Sequence, residues 1–195
     1  CLKILSNKDA VFNADGDVVG QIEFYGTDDG GGTAFAQFGE IRVESTDVSN
    51  TSEDGTMVFQ TLVAGTATDN ITIKGGNVGI GATPLGTHAN FTSLTLGGNG
   101  YFHHDTAAGA SKGLHIAQNA NYDTDASWEY VSTDEASNYY QSGGVHGFRV
   151  VASGTGGNDI SWTEVMKLDI NSRISLSNND GNTGNTVFGY HALTN

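Results

Sequence analysis

Few residues in this sequence are suited to chemistry, and each has a plainer competitor. His103, His104 and Asp105 stand in a row. One imidazole from each of three chains around a common axis would make a three-nitrogen metal set. A turn-proximal histidine that is merely stacked or solvated is the ordinary alternative. Asp28-Asp29, Asp123-Thr124-Asp125 and Asn178-Asn179-Asp180-Gly181-Asn182 are oxygen-rich turns that would suit a divalent cation. None has the helix-flanked spacing of a calcium-binding loop, and polar β-turns use the same residue types. Trp128, Tyr130, Tyr139, Tyr140 and Trp162 are the densest aromatics. The two tryptophans are expected inside. Tyr139 and Tyr140 are expected in an exposed patch for receptor contact, since neighbours in a strand face opposite ways.

Catalysis finds little support. The sequence has no G-x-S-x-G, no phosphate-binding loop and no H-E-x-x-H. Its acids fall in segments that read as turns, without a long core to shape a cleft, so no catalytic residue is assigned and no cofactor is expected beyond a divalent cation. Carboxylate pairs for glycoside cleavage are a matter of spatial separation, which sequence does not show.

The stretch that organises the rest is Asn70 to Gly81, NITIKGGNVGIG. Ile71/Ile73 and Val78/Ile80 alternate on either side of Gly75-Gly76. That pattern predicts two short strands, each with one dry face, joined by a tight turn at positive φ. A single hairpin of this size is marginal in water and must stack on something. Related spacings recur: Leu94, Leu96, Tyr101 and His103 around Gly97 to Gly100; Met166/Leu168 and Ile174/Leu176 around DINSR; and Leu2/Ile4 with Ala10/Phe12. Recurrence of one small unit predicts a repeat architecture.

Composition agrees with a turn-dense β-fold. Glycine contributes 28 of 195 residues and proline one, and 37% of the chain is hydrophobic, in regular alternation that a disordered segment has no reason to keep. The net charge is −14, with eight Lys and Arg scattered singly, which argues against nucleic acid and anionic membrane as partners. The single cysteine, Cys1, makes no internal disulfide, and no apolar run is long enough to span a bilayer. The chain starts at Cys1 and stops where another glycine-punctuated unit begins, so it is read as a piece of a longer protein.

Along the chain, residues 1–13 form a first strand-turn-strand unit. Residues 14–81 form a β module in which Ile22 and Phe24, then Ile41 and Val43, face inward, with Arg42 and Glu44 outward. Met57 to Val63 reads as a strand buried on both faces. Residues 82–112 are a connecting segment with a small hairpin, and the only proline, Pro84, places a boundary near 82–92. Residues 113–177 form a second β module. Ser153-Gly154-Thr155 echoes Ala64-Gly65-Thr66 at an offset of 89 residues, with an insertion around ISWTEV. Residues 178–195, with Val187, Phe188, Tyr190 and Leu193 spaced by small residues, suit the start of a β-roll coil.

GNVGIGATP at 76–84 resembles the GNVGIGTT repeat of bacteriophage tail fibres and related trimeric surface proteins. SGTGGNDISWTEVMKLDINSRISL at 153–176 and SEDGTMVFQTLVAGT at 52–66 resemble the strand pairs that accompany it. GNTGNTVFGYHALTN is similar to coil repeats of such fibres and of trimeric-adhesin heads. The resemblance implies an intertwined parallel homotrimer on the virion, extracellular, joined to other tail proteins, whose outer loops contact a host surface polysaccharide or protein. The self-cleaving chaperone domain that often ends such fibres has no counterpart here. Independently, each unit offers too few apolar residues to offset ordering costs of about 1–2 kcal/mol per residue. Three chains sharing a seam would supply a core. Its expected residues are Ile71, Ile73, Val78, Ile80, Leu94, Leu96, Met166, Leu168, Ile174 and Leu176. A monomeric β-sandwich is the structural alternative. A bacterial trimeric adhesin or a polysaccharide-degrading tailspike are the functional ones.

Overall fold

The computed structural model describes residues 14–29, 35–106, 112–171 and 174–176. The expected unit at 1–13 and the expected coil at 178–195 lie outside them. The described chain is all-β, without a helix. Its strands are β1 (Val18–Thr27), β2 (Phe35–Asp47), β3 (Asp54–Val63), β4 (Thr66–Lys74), β5 (Asn77–Ile80), β6 (Phe91–Leu96), β7 (Gly100–Asp105), β8 (Leu114–Gln118), β9 (Ala120–Tyr122), β10 (Trp128–Tyr130), β11 (Asp134–Ser142), β12 (Val145–Gly154), β13 (Thr163–Leu168) and β14 (Ile174–Leu176). They divide between two compact units. The first runs to Gly86 and adds Ser93–Gly98; the second takes Thr87–Thr92 and everything from Asn99. The expected connecting segment at 82–112 is therefore split, with most of β6 in the first unit and β7 in the second.

In the first unit β1 to β5 pair with their sequence neighbours, all antiparallel, and β6 adds in parallel beside β5. Turn chemistry explains the tight reversals. Gly75 and Gly76 have φ of 57° and 78°, and Ala64-Gly65 between β3 and β4 has 47° and 80°. Successive positive φ is the two-residue turn whose twist matches a hairpin. The parallel step needs a crossover, and the chain returns through buried Pro84 across one face of β5. There the Ala82 carbonyl and the Pro84 ring press on Gly79, leaving no room for a Cβ. Gly79→Ala is expected to cost about 2–3 kcal/mol, the range for forced overpacking. Gly76→Ala, which meets only open space but sits at positive φ, should cost about 1 kcal/mol. Hydrogen exchange of the β4–β5 amides would read both, and equal effects would refute the crossover contact.

The polar face of this sheet is the one covered by the chain itself. Arg42 lies across it, Nε 2.5 Å from Glu44, Nη1 on Glu40 and Nη2 3.6 Å from Asp69. In register beside Arg42 come Val58 and Thr72, both buried. The reading of Arg42 as outward is thus corrected: paired with three carboxylates it can leave water, whereas Ile41 and Val43 are only half covered. β3 is likewise not buried on both faces. Val58 is buried, but Met57 and Val63 are exposed.

In the second unit β7, β8, β11, β12, β13 and β14 form one antiparallel sheet, with β9 and β10 as a separate pair. Residues 155–160 run beside β10, with Tyr130 N–H donating to the Asn158 carbonyl at 3.0 Å and Ile160 N–H to that of Trp128 at 2.6 Å. The insertion around ISWTEV therefore extends this second layer, and its Ile160 and Trp162 pack on a core of Tyr101, Ala117, Ala120, Tyr130 and Ala136. One polar residue pins the layers. Asn119, fully buried at φ 56°, donates from Nδ2 to the Ser132 and Glu135 carbonyls, both at 3.0 Å. Its Oδ1 accepts from the N–H and the hydroxyl of Ser132, each at 2.8 Å.

Candidate functional site

Directly opposed residues in a sheet share a face, so the register shows which side chains line up across strands. In the first unit one row runs Ile22, Ile41, Phe59, Ile71, Ile80, Leu96. The next row on the same face runs Gly20, Val43, Met57, Ile73, Val78, Leu94. Every position but Gly20 carries a large apolar side chain, and none of these side chains is buried. Ile80 is 45% exposed and Ile22 41%. Six strands thus present two continuous apolar stripes that the described residues leave uncovered, opposite a polar face that they partly cover.

The second unit repeats the geometry with one stripe. Phe102, Ile116, Tyr139, Phe148 and Met166 line up across five strands, and Leu176 holds the next register position. Phe148 and Ile116 are 41% and 42% exposed. The adjacent row is His104, Leu114, Gln141, His146, Leu168 and Ile174, polar where the first unit has valine and methionine. Eight of the ten residues expected at a shared seam therefore occupy stripe positions, while Leu168 and Ile174 fall in the adjacent, mixed row. Ile22, Ile41 and Val43, expected to face inward within a module, and Met57, Phe59, Phe102, Ile116 and Phe148 stand in the same stripes. Their period-two alternation was legible, but only the cross-strand register shows that they join the same stripes.

Other expected positions move. Tyr101 and His103 are not counterparts of Val78 and Ile80, because both are fully buried inside the second unit. His103 stacks on Tyr101 at 5.1 Å and 5°, with Trp128 and Phe91 edge-on. It is unavailable as a metal ligand at a symmetry axis. His104 is exposed on the opposite face, and Asp105 is half-buried, so the three neighbours do not converge. Tyr140 is also removed from receptor contact. Its ring is buried over Gly147, its hydroxyl donates to Glu164 and the Arg149 guanidinium lies 4.0 Å above it. Tyr139 stands in the stripe, its hydroxyl 2.6 Å from His146 Nδ1. Trp128 and Trp162 pack on the core as expected.

Neither ring nitrogen of His103 makes a hydrogen bond of normal geometry. Burial pushes its pKa down to about 4, weakly opposed by the Ala120 backbone, and pushes the neighbouring Tyr101 up to about 12. Burial also lowers His115, against the opposing bond from Asn138. An unfolded histidine titrates near 6.5, so between pH 6.5 and about 4 the unfolded chain holds the extra proton. Stability of the second unit is thus complete above about pH 6.5 and falls as pH drops toward 4, by about 3 kcal/mol for His103. Urea midpoints at pH 7.5 and 4.5 should show the loss, and His103→Phe should remove most of it. An unchanged slope in that variant would rule His103 out as the source.

Of the acidic turns, Asp123, Asp125 and Glu129 bring carboxylate oxygens within 4.8 Å of one another. Asp123 accepts N–H bonds from Asp125 at 3.2 Å and Ser127 at 3.1 Å, closing the turn before β10. Burial alone would raise its pKa, but hydrogen bonds from Asp125, Ser127 and Glu129 together hold it below the usual carboxylate value. Bonding to Asp123 raises Asp125 and Glu129 in turn. The backbone N–H groups of Asp125 and Ser127 satisfy Asp123 within the turn. The Asn178–Asn182 turn lies outside the described residues.

No protein-family model matches the sequence, and no curated protein matches it significantly.

Proposed function

We propose that this chain is a segment of a homotrimeric, β-rich fibre of the phage tail-fibre kind, extracellular on the virion, which stiffens the shaft and carries host-attachment surface. The observation that carries this reading is the pair of uncovered apolar stripes in the first unit, with a further one in the second. A sheet normally hides its apolar face and wets its polar one. Here the polar face is satisfied within the chain by Arg42 and its three carboxylates, and the apolar face waits for a partner.

Covering each half-exposed side chain returns about 1 kcal/mol at roughly 25 cal/mol per Å². Summed over the stripes, that is enough to hold identical chains together. Since β2 to β5 are bonded on both sides within the chain, their stripes can be covered only face-on, so the copies meet by sheet faces about a common axis. The repeat reading is supported by matched stripe positions: Ile22, Ile41, Phe59, Ile71 and Ile80 in one unit, against Ile116, Tyr139, Phe148, Met166 and Leu176 in the other. Threefold presentation would strengthen weak surface contacts by avidity.

Light scattering should give the mass of three 20.3 kDa chains. A folded species of one chain mass, stable on dilution with Ile73 and Ile80 in water, would overturn the reading.

A further inference from the structure

We infer that the polar cleft beside the β11–β12 turn binds carboxylate-bearing sugars of an acidic surface polysaccharide, an inference that rests on the attachment reading above and names its ligand class. The cleft has a volume of about 330 Å³ and is lined by His104, Lys112, Gln141, His146 and the Gly143-Gly144 turn, with Leu114 among them. Acids outnumber Lys and Arg by 22 to 8 in this chain, yet among the described residues no carboxylate lines this cleft. Among the described residues Lys112 pairs with no acid. Asp105, the nearest acid in sequence to His104, alternates onto the other face of β7, where it acts on His115.

Register supplies the length. His104 lies opposite Leu114, Leu114 opposite Gln141, and Gln141 opposite His146. Three inter-strand steps of about 4.8 Å place donors over roughly 14 Å, a span for several sugar units rather than a single ion. Leu114 sits between His104 and Gln141 as an apolar floor for a sugar's C–H face. The Tyr139 hydroxyl contacts His146 Nδ1 at 2.6 Å. With that hydroxyl as donor, the neutral imidazole carries its proton on Nε2 and can donate to a carboxylate.

This row also explains why the second unit has one apolar stripe where the first has two. Val43 and Met57 hold the places that Gln141 and His146 hold here. A seam laid over Gln141, His146 and nearby Lys112 would bury polar groups without partners, which is unfavourable. The cleft therefore stays wet beside the remaining stripe.

The test uses the whole chain at its native mass, with trigalacturonate as the acidic probe, maltotriose as the neutral one and a sulfated disaccharide as the alternative anion. Calorimetry should show trigalacturonate binding that weakens with salt and no maltotriose binding. Lys112→Glu and the pair Lys112→Ala/His146→Gln should each lower affinity at least tenfold. Equal binding of maltotriose, preference for the sulfated probe, or no effect of the variants would each overturn the inference. Light scattering on the same samples separates the two readings: a three-chain mass without trigalacturonate binding sinks this one alone. Lys112 lies outside both rows, so Lys112→Glu keeps the test decisive even where the double variant changes the mass.

Discussion

Glutamate at both Phe59 and Ile71 is expected to turn the proposed three-chain assembly into folded single chains of 20.3 kDa. The two residues are direct cross-strand partners in the middle of the first unit's stripe, with Ile41 and Ile80 on either side. An unpaired charge buried at an interface costs about 3–5 kcal/mol, and each chain would bring two. Removal of apolar cover adds about 1 kcal/mol per side chain. The sum shifts the dissociation constant by several powers of ten. Within the chain the same change is mild, because both side chains are already partly in water and the ladder bonds, the Arg42 pairs and buried Val58 are untouched. Sedimentation should therefore show the mass fall while the β-type circular dichroism persists. Ser161→Glu, on an exposed connection outside both stripes, should leave the mass unchanged. A double variant that stays trimeric would show that these stripes are not the seam.

Loss of the Asn119 side chain should be the most damaging single change in the second unit. Asn119→Ala removes both donors from the Ser132 and Glu135 carbonyls and the acceptor from Ser132, in a place with no exposure to water. Each stranded buried group costs about 1–3 kcal/mol, and alanine at φ 56° adds about 1. A loss of about 4 kcal/mol is expected. Trp128 and Trp162 are the chain's two tryptophans and both pack on this core, so urea unfolding followed by their fluorescence reports this unit. Asn119→Gly, which relieves the backbone term only, should recover about 1 kcal/mol. A change below 1 kcal/mol in the alanine variant would mean that the layers are held together elsewhere.

Much of the hairpin pattern was legible in sequence, because it depends on local rules. Gly75-Gly76 between alternating isoleucines leaves little choice of turn, and Met166/Leu168 against Ile174/Leu176 pair as their spacing predicts. Periodicity does not say which face the chain covers. Arg42 was placed outside by residue type; Glu40 and Glu44 flank it on its own strand, but Asp69 reaches it only once three strands are in register. The Tyr139–Tyr140 pair carried the same uncertainty: alternation sends the rings apart, but the choice of buried member depends on Gly147 standing opposite Tyr140 and leaving room for its ring. His103 and its neighbours were mistaken for another copy of the hairpin because the spacing matches. Their destination is fixed by Trp128 and Phe91, which lie in other strands and leave no trace in the local pattern.

The order of strands in the first unit has a kinetic consequence. From β1 to β5 every strand bonds to its neighbour in sequence, two of the turns are the tight two-residue kind, and such hairpins close in about 1–10 μs. Each polypeptide can lay out its stripes before it encounters another. In the proposed trimer the slow event is then collision between preformed faces, whose rate rises with protein concentration, so dilution should delay assembly without altering the early gain of β-structure.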